Sequence, residues 1–319
     1  MQKLSENKLV VILGPTASGK TSLSIKLAKK FNGEIVSADS RQVYKGMDIG
    51  SGKVTKKEMA GIPHHMLDVA NPRERFSVAQ YQKQAMTAIK KIQKKNKLPI
   101  LVGGTGFYIQ SIVDGVVIPE VKPNWMLRKK LEKKSNEELF KMLLEKDPAR
   151  AKNIDAKNPR RLVRALEIVL TTKKPVQPLA VIPSLTGNPG LDSRFRGNDK
   201  ILQIGILKTQ DELKKNINKR LQKRLKNNAM INEVKKLHLP ASRQAKFLSW
   251  KRLEEFGLEY KFVAQYLQNK ITWQEMIDKI QIESEHYAKR QATWFKRDEK
   301  IHWIKNQTQA EALIKKLLG

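Results

Sequence analysis

The sequence of 319 residues contains no cysteine. This absence excludes disulfide frameworks, thiolate zinc sites and cysteine nucleophiles. Long apolar runs are also missing, since no stretch approaches the roughly 20 apolar residues that a membrane-spanning helix needs. The amino terminus lacks a signal-peptide pattern, because charged residues follow its first apolar run. We therefore expect a cytoplasmic protein that does not enter a membrane.

Acidic residues are scarce relative to basic ones. The chain has 31 Asp and Glu against 63 Lys and Arg, a formal net charge of +32. An excess of this size favours a polyanionic partner, because cations that neutralise phosphates release counterions. A lysine-rich genome would give the same excess without such a partner, and lysine pairs such as Lys129 and Lys130 fit that alternative. Composition alone leaves both interpretations open.

The order of predicted elements indicates an α/β fold. Buried strands are predicted at LVVIL, EIVSAD and LPILVGG, with helices between them. From about Pro119 the pattern changes to charged helical segments without strands, and a strand pattern returns at Ile201. We predict a parallel-sheet core formed by residues 1–118 and 201–319, with an α-helical insertion at 119–180.

Residues 181–200 are rich in glycine, proline, asparagine and serine and show no periodicity. This composition is typical of a loop or a disordered segment. One interpretation is a low-complexity insertion that the surface tolerates, since a long loop adds little closure entropy. The alternative is a substrate-binding loop that uses Arg194 and Arg196.

The first predicted strand leads directly into GPTASGKT, which fits the P-loop pattern G-x-x-x-x-G-K-[ST]. Its glycines allow consecutive backbone N–H groups to point at phosphate oxygens, and the helix that follows adds positive potential. Lys20 is placed to reach a terminal phosphate, and the Thr21 hydroxyl to hold Mg²⁺. The sequence therefore predicts a P-loop NTPase-like core. Its candidate phosphate-binding residues are Gly14, Pro15, Thr16, Ala17, Ser18, Gly19, Lys20 and Thr21.

A P-loop kinase would place a magnesium-binding acid at the end of a further strand. Here that strand ends in Gly103 and Gly104, which disfavours phosphoryl transfer. The acids nearest the predicted site are Asp39, directly after the second strand, and Asp68, for which a turn or cap position is an equal alternative. The glycines around Thr105 permit a ligand crevice at the same edge of the sheet.

Paired arginines mark the predicted helical insertion. The segment NPRRLVRALEIV puts Leu162, Leu166 and Val169 on one apolar stripe, and Arg161 with Arg164 on another face. Arginines at this spacing suit contacts to phosphates or bases. A solvated basic surface is the alternative.

Six motifs follow one another along the chain: GPTASGKT, SADSRQVYKGMDIGSGK, HHMLDV, GGTGFY, NPRRLVRALE and RQATWFKRD. Together they resemble the tRNA dimethylallyltransferases, the IPP transferase family, which prenylate the adenosine immediately 3′ of the anticodon. The resemblance covers nearly the whole chain apart from residues 181–200. It implies a monomeric enzyme that uses dimethylallyl diphosphate and Mg²⁺, binds the anticodon stem-loop of tRNA and flips the adenosine out of its stack.

The resemblance also implies roles for single residues. It makes Asp39 the general base at the adenine amino group, and it places Lys20 and Arg220 at the leaving diphosphate together with loop residues 16–21. Thr105 matches a threonine that contacts tRNA and belongs to the catalytic set. The other residues that the resemblance implies at the tRNA are Ser40, Arg41, Gln42, Arg160, Arg161 and Arg164.

The chain departs from the family at three places, one of which is NNAM, where the family's helix after Arg220 usually ends at glycine. Arg160 stands where the family has glutamine, and the family's Gly-Tyr-Arg motif is absent, with Tyr260 and Lys261 as candidate tRNA contacts in that region. Three other functions stay open from the sequence. They are prenyl transfer to a free adenine nucleotide, a small-molecule kinase, and RNA binding without catalysis.

Overall fold

A computed structural model describes residues 8–116, 119, 121, 123–173, 175, 200–239 and 247–319. They form two compact units. The first contains the described residues up to Val113 and from Lys200 onward, and the second lies between Asp114 and residue 175. Apart from Lys200, the predicted loop insertion at 181–200 falls outside the described residues, and so do its Arg194 and Arg196. None of the described helices combines the length and the apolar character needed to cross a membrane.

A parallel sheet of six strands organises the first unit, in the order β3-β2-β4-β1-β5-β6. The inner strands are buried, as expected of parallel strands covered on both faces. The sequence pattern predicts β1, β2, β4 and β5 and gives IHWI as a short strand candidate at β6, but β3 has too few residues to form a pattern. The strands are β1 (Lys8–Leu13), β2 (Gly33–Ala38), β3 (His64–His65), β4 (Leu98–Gly103), β5 (Lys200–Ile206) and β6 (Ile301–Ile304).

Several helices begin at capping boxes that the sequence encodes. Ser77 caps one helix with Gln80, and Thr272 caps another with Glu275, so that two first-turn backbone groups are satisfied in each case. In the first unit the helices are α1 (Lys20–Lys30), α2 (Lys56–Met59), α3 (Val78–Lys94), α4 (Gly106–Val113), α9 (Gln210–Leu225), α10 (Ala229–His238), α11 (Trp250–Glu255), α12 (Leu258–Leu267), α13 (Trp273–Phe295) and α14 (Gln307–Leu318). In the second unit they are α5 (Trp125–Leu131), α6 (Asn136–Lys146), α7 (Pro148–Ala151) and α8 (Pro159–Thr172).

The sheet of the first unit carries a hydrophobic core on each face. Neighbouring residues of a strand point to opposite faces, so Val11 packs with residues of α3, α4 and α10–α13, while Ile12 packs with residues of α1 and α14. Both side chains are fully buried. Because the strands are packed on both faces, their carboxyl ends hold the loops that follow them in fixed positions.

The second unit has a hydrophobic core of its own. Leu162, Leu166 and Val169 of α8 are buried, which confirms the predicted apolar stripe, and they pack with Leu139 and Leu143 of α6. The described part of the predicted insertion is therefore helical, with the apolar face of α8 at its centre.

Candidate active site

Three loops meet at one edge of the sheet, where β1, β4 and β2 lie side by side. The P-loop follows β1, Asp39 follows β2, and Gly104 with Thr105 follows β4. Parallel strands bring their carboxyl ends to one edge, where α/β proteins bind ligands, and a cavity of about 1390 Å³ opens there. Its lining includes the predicted site residues Thr16, Ala17, Gly19, Lys20, Thr21, Asp39, Gln42 and Arg220.

The P-loop has a backbone shape that favours glycine. Gly14 has φ 146° and Gly19 has φ 93°, both in the left-handed region. Gly19 is also the N-cap of α1, and it has no side chain that could occupy the first amide groups of the helix. Those amides and the positive end of the helix dipole form an anion site. The Ser18 hydroxyl is buried and, within the described part of the chain, has no hydrogen-bond partner, so it too can serve a bound anion.

Two cations face this loop. Arg220 of α9 donates from Nη2 to Oγ1 of Thr16 at 2.6 Å, and Lys20 donates from Nζ to the carbonyl oxygen of Pro15 at 2.6 Å. Burial, followed by the charge of Arg220, lowers the pKa of Lys20 to about 7. Burial, followed by the charge of Arg224, lowers the pKa of Arg220 to about 10. Two half-buried cations that repel each other are stabilised when a compact polyanion binds between them.

Asp39 lies in a tight turn at the end of β2. Its Oδ1 accepts the backbone N–H of Arg41 at 2.8 Å and that of Gln42 at 3.2 Å. Oγ1 of Thr105 accepts the N–H of Ser40 at 3.1 Å, so the loop after β4 holds this turn. Asp39 lines the cavity, whereas Ser40, Arg41 and Thr105 are half-buried beside it and outside its lining. The turn thus fixes a carboxylate at the cavity wall.

Two residues of α13 contact these loops and were not predicted as site residues. Gln291 accepts the backbone N–H of Thr16 at 2.7 Å and donates to the carbonyl oxygen of Gly104 at 2.7 Å. Tyr287, one helical turn earlier, is hydrogen-bonded to Thr105, and burial with the charge of Asp39 raises its pKa to about 12. No local spacing links α13 to these loops in sequence. The sequence indicates Gln291 only through its place in RQATWFKRD, one of the six family motifs.

A further loop borders the cavity through Ser51 and Gly52. Glu233 of α10 accepts the backbone N–H groups of residues 48–50 at 2.6 to 3.0 Å, and it accepts the Tyr260 hydroxyl at 2.8 Å. Tyr260 is 1% exposed, and its oxygen also accepts the N–H of Ser51 at 3.2 Å. The predicted tRNA contact of Tyr260 is therefore wrong, because its buried phenol holds this loop from inside the unit.

In the second unit the predicted arginines differ in their surroundings. Arg160 and Arg161 are exposed at the start of α8. Arg164 instead donates from Nη1 to Oε2 of Glu167 at 2.5 Å, and the fully buried Glu167 also accepts from Nε and Nη2 of Arg128 at 2.8 and 2.6 Å. The predicted pairing of Arg161 and Arg164 on one exposed face is wrong, because a buried carboxylate draws the Arg164 guanidinium inward.

The described residues contain no cluster of three or more His, Cys, Asp or Glu side chains that could hold a metal ion. Asp68, the other candidate on the metal side, forms an ion pair with Lys53 at 2.6 Å, has φ 55° and lies outside the cavity lining, which fits the alternative of a turn position. Thr21 is exposed at the start of α1 and lines the cavity. Mg²⁺ commonly binds through one or two protein oxygens with phosphate oxygens and water. The Thr21 hydroxyl fits such a partial site, which a bound diphosphate would complete.

Curated relatives cover almost the whole chain. The tRNA dimethylallyltransferase of Caldanaerobacter subterraneus subsp. tengcongensis is 40% identical over 302 residues, which are 93% of this chain and 91% of the relative. The tRNA dimethylallyltransferase of Staphylococcus haemolyticus is 39% identical over 315 residues, 97% of this chain and 90% of the relative.

Solved structures and a family model agree with these relatives. The tRNA isopentenylpyrophosphate transferase of Bacillus halodurans is 34% identical, with a TM-score of 0.67 over 98% of this chain and 97% of that one. A eukaryotic dimethylallyltransferase acting on tRNA is 27% identical, with a TM-score of 0.73 over 98% of this chain and 77% of that one. The sequence model described as IPP transferase matches residues 42–298. Because this model covers more than half of the chain and the curated relatives are about 40% identical over most of it, the chain belongs to the IPP transferase family.

Proposed function

We propose that this chain transfers the dimethylallyl group of dimethylallyl diphosphate to N6 of the adenosine 3′-adjacent to the anticodon in tRNA. The observation that carries the proposal is that the P-loop, Lys20, Arg220 and Asp39 line the same cavity. It combines an anion site with a candidate base. The strand beside it, β4, ends in glycine instead of the acid that phosphoryl transfer would use. The curated relatives are named for the same reaction.

In the proposed reaction, the bond from the allylic carbon C1 to the diphosphate oxygen breaks and a bond from C1 to N6 forms. The diphosphate leaves intact with the electron pair of the broken bond. Lys20, Arg220 and the first amide groups of α1 stabilise this charge, each well-placed donor contributing roughly 3 to 4 kcal/mol. N6 gives up one proton to Asp39, a general-base contribution on the order of 10²- to 10⁴-fold.

Two features of the site support these roles. Oδ1 of Asp39 is held by two backbone N–H groups, so the carboxylate keeps one orientation at the cavity wall. Thr21 would hold Mg²⁺ together with the diphosphate, and the ion would supply further neutralisation of the leaving group. Fixed geometry of this kind lets the protein hold the nucleophile N6 and the electrophile C1 in contact before the reaction begins.

The basic charge of the chain supports tRNA as the acceptor. The net charge is +32, and Arg160 with Arg161 presents two exposed guanidinium groups at the amino end of α8. Arginines in such positions bind phosphate oxygens and make affinity depend on salt. A free nucleotide would need neither the charge excess nor these arginines, and this difference favours the polynucleotide.

The test is transfer of labelled dimethylallyl from its diphosphate to unmodified tRNA that carries adenosines next to the anticodon, with Mg²⁺ present. AMP is offered as acceptor and ATP as donor in parallel reactions. Label on tRNA alone supports the proposal. Label on AMP would identify a nucleotide prenyltransferase, phosphate transfer from ATP a kinase, and tight tRNA binding without transfer an RNA-binding protein.

A further inference from the structure

We infer that Gln291 is a positioning residue that fixes the P-loop relative to the turn that contains Asp39, the proposed general base. This inference rests on the proposed function. Gln291 is 6% exposed. Its Oε1 accepts the N–H of Thr16 at 2.7 Å, and its Nε2 donates to the carbonyl oxygen of Gly104 at 2.7 Å. Both polar ends of one amide are therefore bound to the backbones of two different loops.

The hydrogen bonds continue from Gly104 to both neighbours of Asp39. The N–H of Thr105 donates to the carbonyl oxygen of Ala38 at 3.2 Å, and Oγ1 of Thr105 accepts the N–H of Ser40 at 3.1 Å. A continuous set of bonds thus joins the P-loop, the Gln291 amide, the loop after β4 and the turn of the base. In this set Gln291 is the side chain that spans from one loop to the other.

The helix that carries Gln291 is well placed for this role. Residues four apart lie on one face of a helix, and Tyr287 uses that face to hydrogen-bond with Thr105. The approach of Gln291 to the loop is close, since a Cβ on Gly104 would lie 2.3 Å from Nε2. The glycine at position 104 is therefore what allows the amide to reach the backbone.

An amide is the chemical group that this position requires. It offers one acceptor for the Thr16 N–H and one donor for the Gly104 carbonyl. A hydrocarbon side chain would leave both backbone groups without a partner, and an ionised carboxylate would place an acceptor against a carbonyl oxygen. The in-line reaction needs the diphosphate and the carboxylate at a fixed separation. A displacement of about 1 Å is enough to cost about 10²-fold in rate.

The experiment compares the full-length wild type with Gln291→Ala and with the control variant Gln281→Ala. Gln281 lies on the same helix, is half-buried outside the cavity lining and donates to Glu285 at 3.1 Å. The quantities measured are the single-turnover transfer rate with both substrates saturating, and the separate affinities for tRNA and for a non-reactive thio analogue of the donor. We expect Gln291→Ala to lose about 10²-fold in rate with both affinities retained, and Gln281→Ala to match the wild type.

A second variant, Gln291→Glu, tests the hydrogen-bond pattern itself. The ionised side chain has only acceptors, but the protonated acid has one donor and one acceptor like glutamine. Its rate relative to the wild type should therefore rise as the pH falls through the pKa of the introduced carboxyl. Lys20, Asp39, Arg220 and Tyr287 line the same cavity as Gln291, so the wild type is measured over the same pH range to give their contribution to the rate.

The outcomes separate the two proposals. A wild type that transfers no prenyl group would refute the proposed function. A wild type that transfers, with Gln291→Ala equally fast, would overturn the role of Gln291. A rate loss that is accounted for by weaker substrate binding, or that Gln281→Ala shares, would overturn it as well. If Gln291→Ala does not fold, a pH-independent ratio for Gln291→Glu would overturn it.

Discussion

Lys20 should take up a proton when a diphosphate binds to the loop. Its pKa is lowered to about 7, because burial and the charge of Arg220 disfavour the ammonium form. A bound diphosphate brings negative charge next to this group and raises its pKa again. With a free-state pKa of about 7, binding should take up about half a proton at pH 7 and about 0.9 of a proton at pH 8.

Because diphosphate binding is coupled to protonation of Lys20, this coupling also fixes the sign and the size of the pH dependence of the diphosphate affinity. Protons taken up on binding make the affinity fall as the pH rises above the pKa of the free group. If Lys20 stays charged in the complex, the association constant should fall by roughly 50-fold between pH 7 and pH 9, or about 2.3 kcal/mol of binding free energy. Below about pH 6, where Lys20 of the free protein is already mostly charged, its contribution should become independent of pH.

Isothermal titration calorimetry with the thio analogue of dimethylallyl diphosphate tests this prediction. Binding enthalpies are compared at pH 8 in two buffers with different ionisation enthalpies. Lys20→Arg is the control, because arginine stays charged throughout this range and the ligand's own ionisation is the same for both proteins. Equal buffer dependence of the wild type and Lys20→Arg would refute the reasoning, since Lys20 would then be charged before the ligand binds.

Three further predictions concern other parts of the molecule. Asp39→Asn keeps an oxygen for the two backbone bonds but loses the base, so transfer should fall by about 10²- to 10⁴-fold with tRNA binding retained. Asp68→Asn is the matched control, and equal turnover by both variants would remove Asp39 from this role. Arg161→Ala should weaken tRNA binding and reduce the slope of log K against log salt by about one, measured by filter binding, and an effect on donor affinity instead would contradict this placement. Glu167→Ala leaves two arginines without their buried acceptor and should lower the free energy of unfolding by about 3 to 5 kcal/mol. Urea titration measures this loss, and one below about 1 kcal/mol would mean that the network behaves like a surface ion pair.

The parts of the site that could be predicted are those encoded by contiguous residues. The P-loop pattern contains its own glycines and lysine, and Asp39 follows a strand that the apolar pattern predicts. All the strand pairings in the described sheet are parallel, so the strands end at one edge. The loops that follow them therefore lie close together, and no long-range contact has to be predicted to place them there. Local patterns were sufficient for these features.

The parts that could not be predicted depend on partners far away in the sequence. The contact between Gln291 and Thr16 joins residues 275 positions apart. The buried hydroxyl of Tyr260 donates to Glu233 of another helix, and no local spacing in the sequence indicates this contact. For Arg164, the spacing of three residues to Glu167 is present in the sequence. The complete burial of Glu167, however, depends on the packing of helices in the folded unit.

The position of β1 in the sheet determines when the first unit can complete its folding during synthesis. β1 pairs with β4 on one side and with β5 on the other, and Gly14 of the P-loop lies against the backbone of Ile206 at the end of β5. On the ribosome, one side of β1 stays unpaired until the chain beyond Lys200 has emerged. The helical unit has core contacts that are closer together in sequence, so it can fold earlier. We therefore expect nascent chains halted before β5 to contain folded helices but no functional diphosphate site.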